Sequence, residues 1–212
     1  MRLIVGMTGA TGAILGIRTL EVMRELGIET HLILSKWAEA TIHLETDWSL
    51  ADVKRLASRV YASTDQAAAV SSGSFPVDGM VVVPCSMKTL ASIRIGFADN
   101  LITRAADVTL KERRRLVLVP RETPLSLVHL RNMVAATEAG AVVLPAASSG
   151  VFGLRGDGPW VIVREAKKEE AAAARAPCAP RVVHTPCARR LSHATPPEKH
   201  HCADYVAPCL GL

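Results

Sequence analysis

The chain has 212 residues, 49% hydrophobic and 21% charged, with a formal net charge of +5. This mix excludes a collagen-like, coiled-coil or wholly disordered chain, and the length fits one large domain, or one domain plus a tail. Residues 1–150 carry 16 basic and 14 acidic side chains and aromatics make up only 4%, so neither charge nor stacking surface argues for nucleic-acid binding.

In chain order, Leu3 to Val5 reads as a buried strand running into glycines. Residues 12–26 have helical apolar spacing, with Gly27 as the stop. Residues 29–34 form a second strand and 36–45 a helix; Asp47 or Ser49 caps another helix over 50–58. Met80 to Val83 is an apolar strand stopped by Pro84, followed by helices over 86–95 and 99–112. Leu116 to Val119 is a strand stopped by Pro120, 125–139 a helix ending at Gly140, and Ala141 to Leu144 a last strand stopped by Pro145. Short apolar strands alternating with helices predict a parallel sheet covered on both faces: a three-layer α/β/α, doubly wound fold. No apolar run approaches the roughly 18 residues of a membrane-spanning helix, and the N-terminus lacks a signal-peptide core. The protein is therefore expected in the cytoplasm, without membrane contact.

In such sheets ligands bind beyond the carboxyl ends of the strands. After the first strand comes Gly6-Met7-Thr8-Gly9-Ala10-Thr11-Gly12, entering a helix. It is neither a Gly-x-Gly-x-x-Gly nor a Walker A loop; it reads either as a phosphate-binding backbone or as a tight turn that needs glycine. Ser35-Lys36 follows the second strand and reads equally as a helix cap. After Val83 comes Pro84-Cys85-Ser86-Met87-Lys88-Thr89, two hydroxyls and a lysine at a helix start, a second anion-friendly segment. Cys85 has no histidine partner in the sequence and reads as a small hydrophobe rather than a nucleophile. After Val119 comes Pro120-Arg121-Glu122-Thr123-Pro124, where the charged pair either satisfies itself or holds a phosphate and moves a proton. Arg113 to Arg115 read as a solvated helix end. The histidines at 31, 43 and 129 are scattered, and the segment up to residue 147 shows no zinc spacing.

Taken together, these segments resemble the UbiX/Pad-type flavin prenyltransferase family over roughly residues 1–147. The motifs are Gly-Met-Thr-Gly-Ala-Thr-Gly-Ala at 6–13, Leu-Ser-Lys-Trp-Ala at 34–38, Leu-Glu-Thr at 44–46 and Ser-Ser-Gly-Ser-Phe at 71–75. With them come Val-Pro-Cys-Ser-Met-Lys-Thr-Leu at 83–90, Arg-Ala-Ala-Asp-Val at 104–108, Leu-Lys-Glu-Arg-Arg at 110–114 and Leu-Val-Pro-Arg-Glu-Thr-Pro-Leu at 118–125. The resemblance implies a flavodoxin-like sheet, a homododecamer built of trimers, and metal-independent transfer of a dimethylallyl group from dimethylallyl phosphate to reduced FMN. The product would serve a UbiD-type aromatic acid decarboxylase. It further implies that Gly9, Ala10, Thr11, Ser35, Ser86, Met87, Lys88, Thr89 and Arg121 hold FMN. Glu45, Thr11, Arg104, Lys111, Arg121 and Glu122 would line the prenyl-phosphate and proton-transfer region, with Glu122 moving the proton.

The chain changes character near residue 147. Residues 177–212 hold four of the five cysteines, six of the twelve prolines and four of the seven histidines. Residues 148–212 are read as a separate Pro/Cys/His-rich segment, loosely packed or the product of a shifted reading frame. Where the family carries a tyrosine and then an arginine for the donor's phosphate, this chain has Phe152, with Arg155 and Arg164 as the nearest stand-ins. That difference keeps a second reading open, an FMN-binding carrier with a broken donor site. A third, an FMN-dependent decarboxylase, lacks the asparagine it needs in the segment after Val83.

Overall fold

The structure, a computed structural model, describes residues 1–146. Phe152, Arg155, Arg164 and the cysteines and histidines of the C-terminal segment lie outside the described residues. Six strands run parallel: β1 (Arg2–Met7), β2 (Glu29–Leu34), β3 (Arg59–Ala62), β4 (Gly79–Cys85), β5 (Arg115–Pro120) and β6 (Val142–Val143). Six α-helices link them: α1 (Ala13–Glu25), α2 (Lys36–Glu45), α3 (Leu50–Leu56), α4 (Met87–Arg94), α5 (Leu101–Lys111) and α6 (Leu127–Glu138). The strand order is β3-β2-β1-β4-β5-β6. Without the short edge strand β3, the other five follow the flavodoxin order, so the expected doubly wound, three-layer architecture is the one observed.

Successive residues of a strand point to opposite faces, and here both faces are covered. On one side Ile4, Met80, Val82, Leu116 and Leu118 pack with Leu90, Leu101, Ile102 and Ala136 from α4, α5 and α6. On the other, Val5, Met7, Leu32 and Val119 pack with Ile17, Leu20, Ala38, Ile42 and Val53 from α1, α2 and α3. This double burial is why the central strands carry unbroken apolar runs.

Helix starts follow the hydroxyl and amide residues. Ser35, Ser49, Ser86, Asn100 and Ser126 each accept a first-turn N–H of the helix that follows, contacts worth about 0.5–2 kcal/mol apiece. Several strand assignments differ from the sequence expectation, β5 running into Pro120 rather than stopping before it. Pro84 does not stop β4, which continues to Cys85. Proline has no N–H to give the ladder, and the pairing with β5 shifts register between Val82 and Cys85. Strand β3 follows α3, which ends at Leu56 rather than 58. Three of its four residues are exposed, so it carries no apolar signal. The buried His31 ring joins it to the sheet: Nδ1 lies 2.9 Å from the Tyr61 hydroxyl and Nε2 3.0 Å from Glu29.

Candidate functional site

The strand order turns back between β1 and its neighbour β4, and such a switch point opens a crevice beyond the carboxyl ends of the two strands. The glycine segment 8–12 leaves β1 on one side of it, and Cys85 to Thr89 leaves β4 on the other. One side chain fastens the two together. Thr8 is 3% exposed; its hydroxyl donates to the Pro84 carbonyl at 2.8 Å and accepts from the Ser86 N–H at 2.8 Å. The Thr8 N–H also donates to the Pro84 carbonyl, at 3.2 Å. Sequence reasoning passed over Thr8, because nothing local shows that its hydroxyl meets a strand 76 residues away. Thr8→Val keeps the shape but strands the half-buried Ser86 N–H, and a fully buried unsatisfied donor would cost about 1–3 kcal/mol. The expected result is a melting midpoint lower by several degrees, read by thermal denaturation; an unchanged midpoint would contradict this role.

Helix α1 starts at Gly12, whose φ of 95° is left-handed backbone that favours glycine. Its first N–H groups are already taken. Glu45, at the end of α2, accepts from Gly12 N at 2.8 Å and Ala13 N at 3.0 Å through Oε2. A carboxylate at this positive helix end leaves those two donors nothing to offer a phosphate. The start of α4 differs. Ser86 accepts from Thr89 N at 3.2 Å and donates to the Thr89 hydroxyl at 3.0 Å. The first-turn N–H groups of Met87 and Lys88 have no earlier helical turn to bond to, and Lys88 is exposed beside them. Of the two helix starts in the crevice, α4 is therefore the one equipped for an anion.

Arg121 and Glu122 enter the same crevice from β5. The Arg121 N–H donates to the Cys85 carbonyl at 3.3 Å, and Arg121 Cγ lies 3.9 Å from where a Cβ on Gly12 would sit. Glu122 is exposed, and its carboxylate has no ion pair among the described residues. Ser35 caps α2 by accepting from Ala38 N at 3.0 Å, and its own N–H donates to the Met7 carbonyl at 3.0 Å, tying α2 to the end of β1. Ala10 is buried and Thr11 exposed on the glycine segment. Cys85 is fully buried, and burial pushes its thiol up to about 12, so it stays neutral and is no nucleophile.

Arg104 and Lys111 stand elsewhere. Both lie on α5 beside the loop that precedes β4. Arg104 Nε donates to the Ser71 carbonyl at 3.2 Å and Nη1 to Asp107 at 3.0 Å; Lys111 pairs with Glu112 next to Gly73. Arg114, entering β5, donates to the Gly73 and Phe75 carbonyls. Lys111 and Arg114 are at the amino edge of the sheet, separated from Arg121 by the length of β5, on the order of 17 Å of strand; Arg104, in the first turn of α5, lies toward the other end, where the Leu101 N–H donates to the Ser63 carbonyl just past β3. One chain thus brings Gly9 to Thr11, Ser35, Glu45, Ser86 to Thr89, Arg121 and Glu122 to the carboxyl side of the sheet, while α5 holds Arg104 and Lys111 against the loop before β4. A cavity of about 410 Å³ also opens at the amino edge, lined by Arg2, Glu29, Asp78 and Arg114 among others. Its charges answer one another, Arg2 to Glu29 at 3.0 Å and Arg2 N to Asp78 at 2.6 Å, so it reads as a structural network. Among the described residues no cluster of metal-ligating side chains occurs, and no helix is long and apolar enough to cross a membrane.

The crevice has what a flat ring with a phosphate arm needs: a close glycine backbone, an open helix start, and cations at Lys88 and Arg121. Comparison with known proteins bears on the same residues. The family model described as Flavoprotein matches residues 1–178. A Bacillus subtilis protein named "Probable UbiX-like flavin prenyltransferase" is 60% identical over 145 residues, covering 68% of this chain and 71% of that one. The crystal structure of AnUbiX (PadA1) with FMN and dimethylallyl pyrophosphate superposes with a TM-score of 0.67 at 64% identity, covering 68% of this chain and 77% of that one. A dodecameric FMN-dependent UbiX-like decarboxylase from Escherichia coli O157:H7 gives 0.67 at 60% identity, covering 68% and 80%.

Proposed function

The chain belongs to the flavoprotein family, among its UbiX-like flavin prenyltransferases, and from that membership we propose that it joins a dimethylallyl group to reduced FMN. The donor is dimethylallyl phosphate; the solved relative carries the pyrophosphate. The ester C–O bond breaks and phosphate leaves. Two bonds to the flavin close a new ring; a ring nitrogen and a ring carbon each give up a proton, a donor carbon gains one and the departing phosphate takes the other. The observation that carries this reading is the crevice itself, whose glycine, hydroxyl and Arg-Glu segments lie within the stretch of 60% identity.

The described residues divide the work. Gly9, Ala10, Thr11 and Ser35 lie along the flavin, while Ser86 to Thr89 and Arg121 hold its phosphate at the start of α4. Cations beside the departing phosphate stabilise the charge that develops on it. Glu122, exposed and unpaired, moves the proton; Glu45 fixes the start of α1 and so the exit of the glycine segment. Arg104 and Lys111 serve the crevice of a neighbouring copy, since α5 holds both against the loop before β4. A homododecamer supplies that neighbour, and such an assembly is named for the E. coli relative.

The FMN domain is residues 1–147, the enzyme works in the cytoplasm, and the product passes to a UbiD-type aromatic acid decarboxylase. Phe152, the nearest candidate for the family's donor tyrosine, lacks its hydroxyl and so favours the alternative of an FMN carrier that does not transfer. Mass spectrometry of the flavin after anaerobic incubation with reduced FMN and donor separates the two: prenylated FMN for the enzyme, bound unmodified FMN for the carrier.

A further inference from the structure

From Glu122 to Arg131 every residue is exposed except His129, which is half-buried. This stretch joins the crevice to α6, and the helix buries nothing before Asn132. Its anchors are few. At one end the Arg121 N–H donates to the Cys85 carbonyl at 3.3 Å. Among the described residues the next four make a single hydrogen bond, from the Thr123 hydroxyl to the Glu122 carbonyl at 2.8 Å, and it is local.

The other end is fixed by one pair. The Ser126 hydroxyl accepts from the His129 N–H at 3.2 Å, and His129 Nδ1 accepts from the Ser126 N–H at 3.3 Å. At helix starts of this kind the residue that reaches back is ordinarily glutamate or glutamine. Here it is a histidine, and a ring nitrogen that accepts must keep its lone pair, which puts the neutral ring's proton on Nε2. The first turn of α6, with Leu127 60% and Val128 64% exposed, adds no buried contact of its own. Exposed backbone with so few contacts opens readily, so Glu122 keeps one placement only while both ends of its segment are held.

We propose that His129 is a positioning residue for the proton transfer: through Nδ1 it closes the segment that carries Glu122 and so keeps that carboxylate in the crevice. The proposal rests on the reading of Glu122 as the proton carrier.

The test compares two replacements in the full chain. His129→Gln keeps an acceptor that can reach back to the Ser126 N–H; His129→Leu keeps bulk and has no acceptor. In His129→Leu, kcat is expected to fall about 10- to 100-fold while the FMN dissociation constant stays within about a factor of three, as for a reacting group displaced beside an intact binding site. His129→Gln restores kcat to within about threefold of wild type. Hydrogen exchange of the FMN-free chain gives a readout apart from activity. Peptides spanning 121–130 exchange faster in His129→Leu and at the wild-type rate in His129→Gln, with the central strands unchanged in both. Added to Glu122→Gln, His129→Leu causes little further loss of kcat, because both remove the same step. Wild-type kcat or wild-type exchange in His129→Leu, a slow His129→Gln chain, or a full additional loss in the double variant overturns the role of His129 alone. A wild-type chain that binds FMN and yields no prenylated flavin, or a Glu122→Gln chain with wild-type kcat, overturns the reading of Glu122, and this proposal with it.

Discussion

Gly9→Val is expected to fold and to bind FMN about ten- to 100-fold more weakly. A Cβ at position 9 would collide with the Cβ of Trp37 and lie 3.2 Å and 3.3 Å from that residue's backbone C and Cα. The obstacle is thus the first turn of α2 rather than a side chain free to swing aside. Forcing extra carbons into such a contact costs about 1–3 kcal/mol. Gly9 is half-buried between buried neighbours and Trp37 is 73% exposed. The strain is therefore relieved by moving the segment, which shifts the crevice and leaves the core intact. Trp37→Ala in the same chain keeps the offending Cβ and does not rescue binding; Trp37→Gly removes it and does so in part. Flavin-fluorescence titration with a thermal melt of each variant reads the result. Normal affinity in Gly9→Val would show that the glycine segment does not lie along the flavin.

Glu122→Gln is expected to lower kcat about 10²- to 10⁴-fold, the usual span for removal of a general acid–base group. The FMN dissociation constant should stay within about a factor of three of wild type, since glutamine retains the shape and the neighbouring Arg121 is untouched. A variant that loses FMN instead would make Glu122 part of the binding site rather than the proton carrier.

The central strands were legible because burial on both faces leaves unbroken apolar runs, as at Met80 to Val83 and Leu116 to Val119. Helix starts were legible where a hydroxyl stands at the cap, at Ser35 and Ser49. Strand β3 was not, since an exposed Arg-Val-Tyr-Ala segment owes its conformation to pairing with β2 and to the His31–Tyr61 contact. In the crevice, residue types and spacing pointed to two anion-friendly helix starts. Only the structure shows that Glu45 occupies one of them, across 33 residues of sequence. The Thr8 bridge is equally long-range. Arg104 and Lys111 entered through motif resemblance, and no local signal reveals that α5 sets them against the loop before β4.

The most direct measurement is anaerobic incubation of the full chain with reduced FMN and dimethylallyl phosphate, followed by mass spectrometry of the released flavin. The account predicts FMN heavier by one five-carbon prenyl unit, formed without added metal and lost in Glu122→Gln. Unmodified FMN recovered from a chain that binds it tightly would contradict the transfer and leave a flavin carrier.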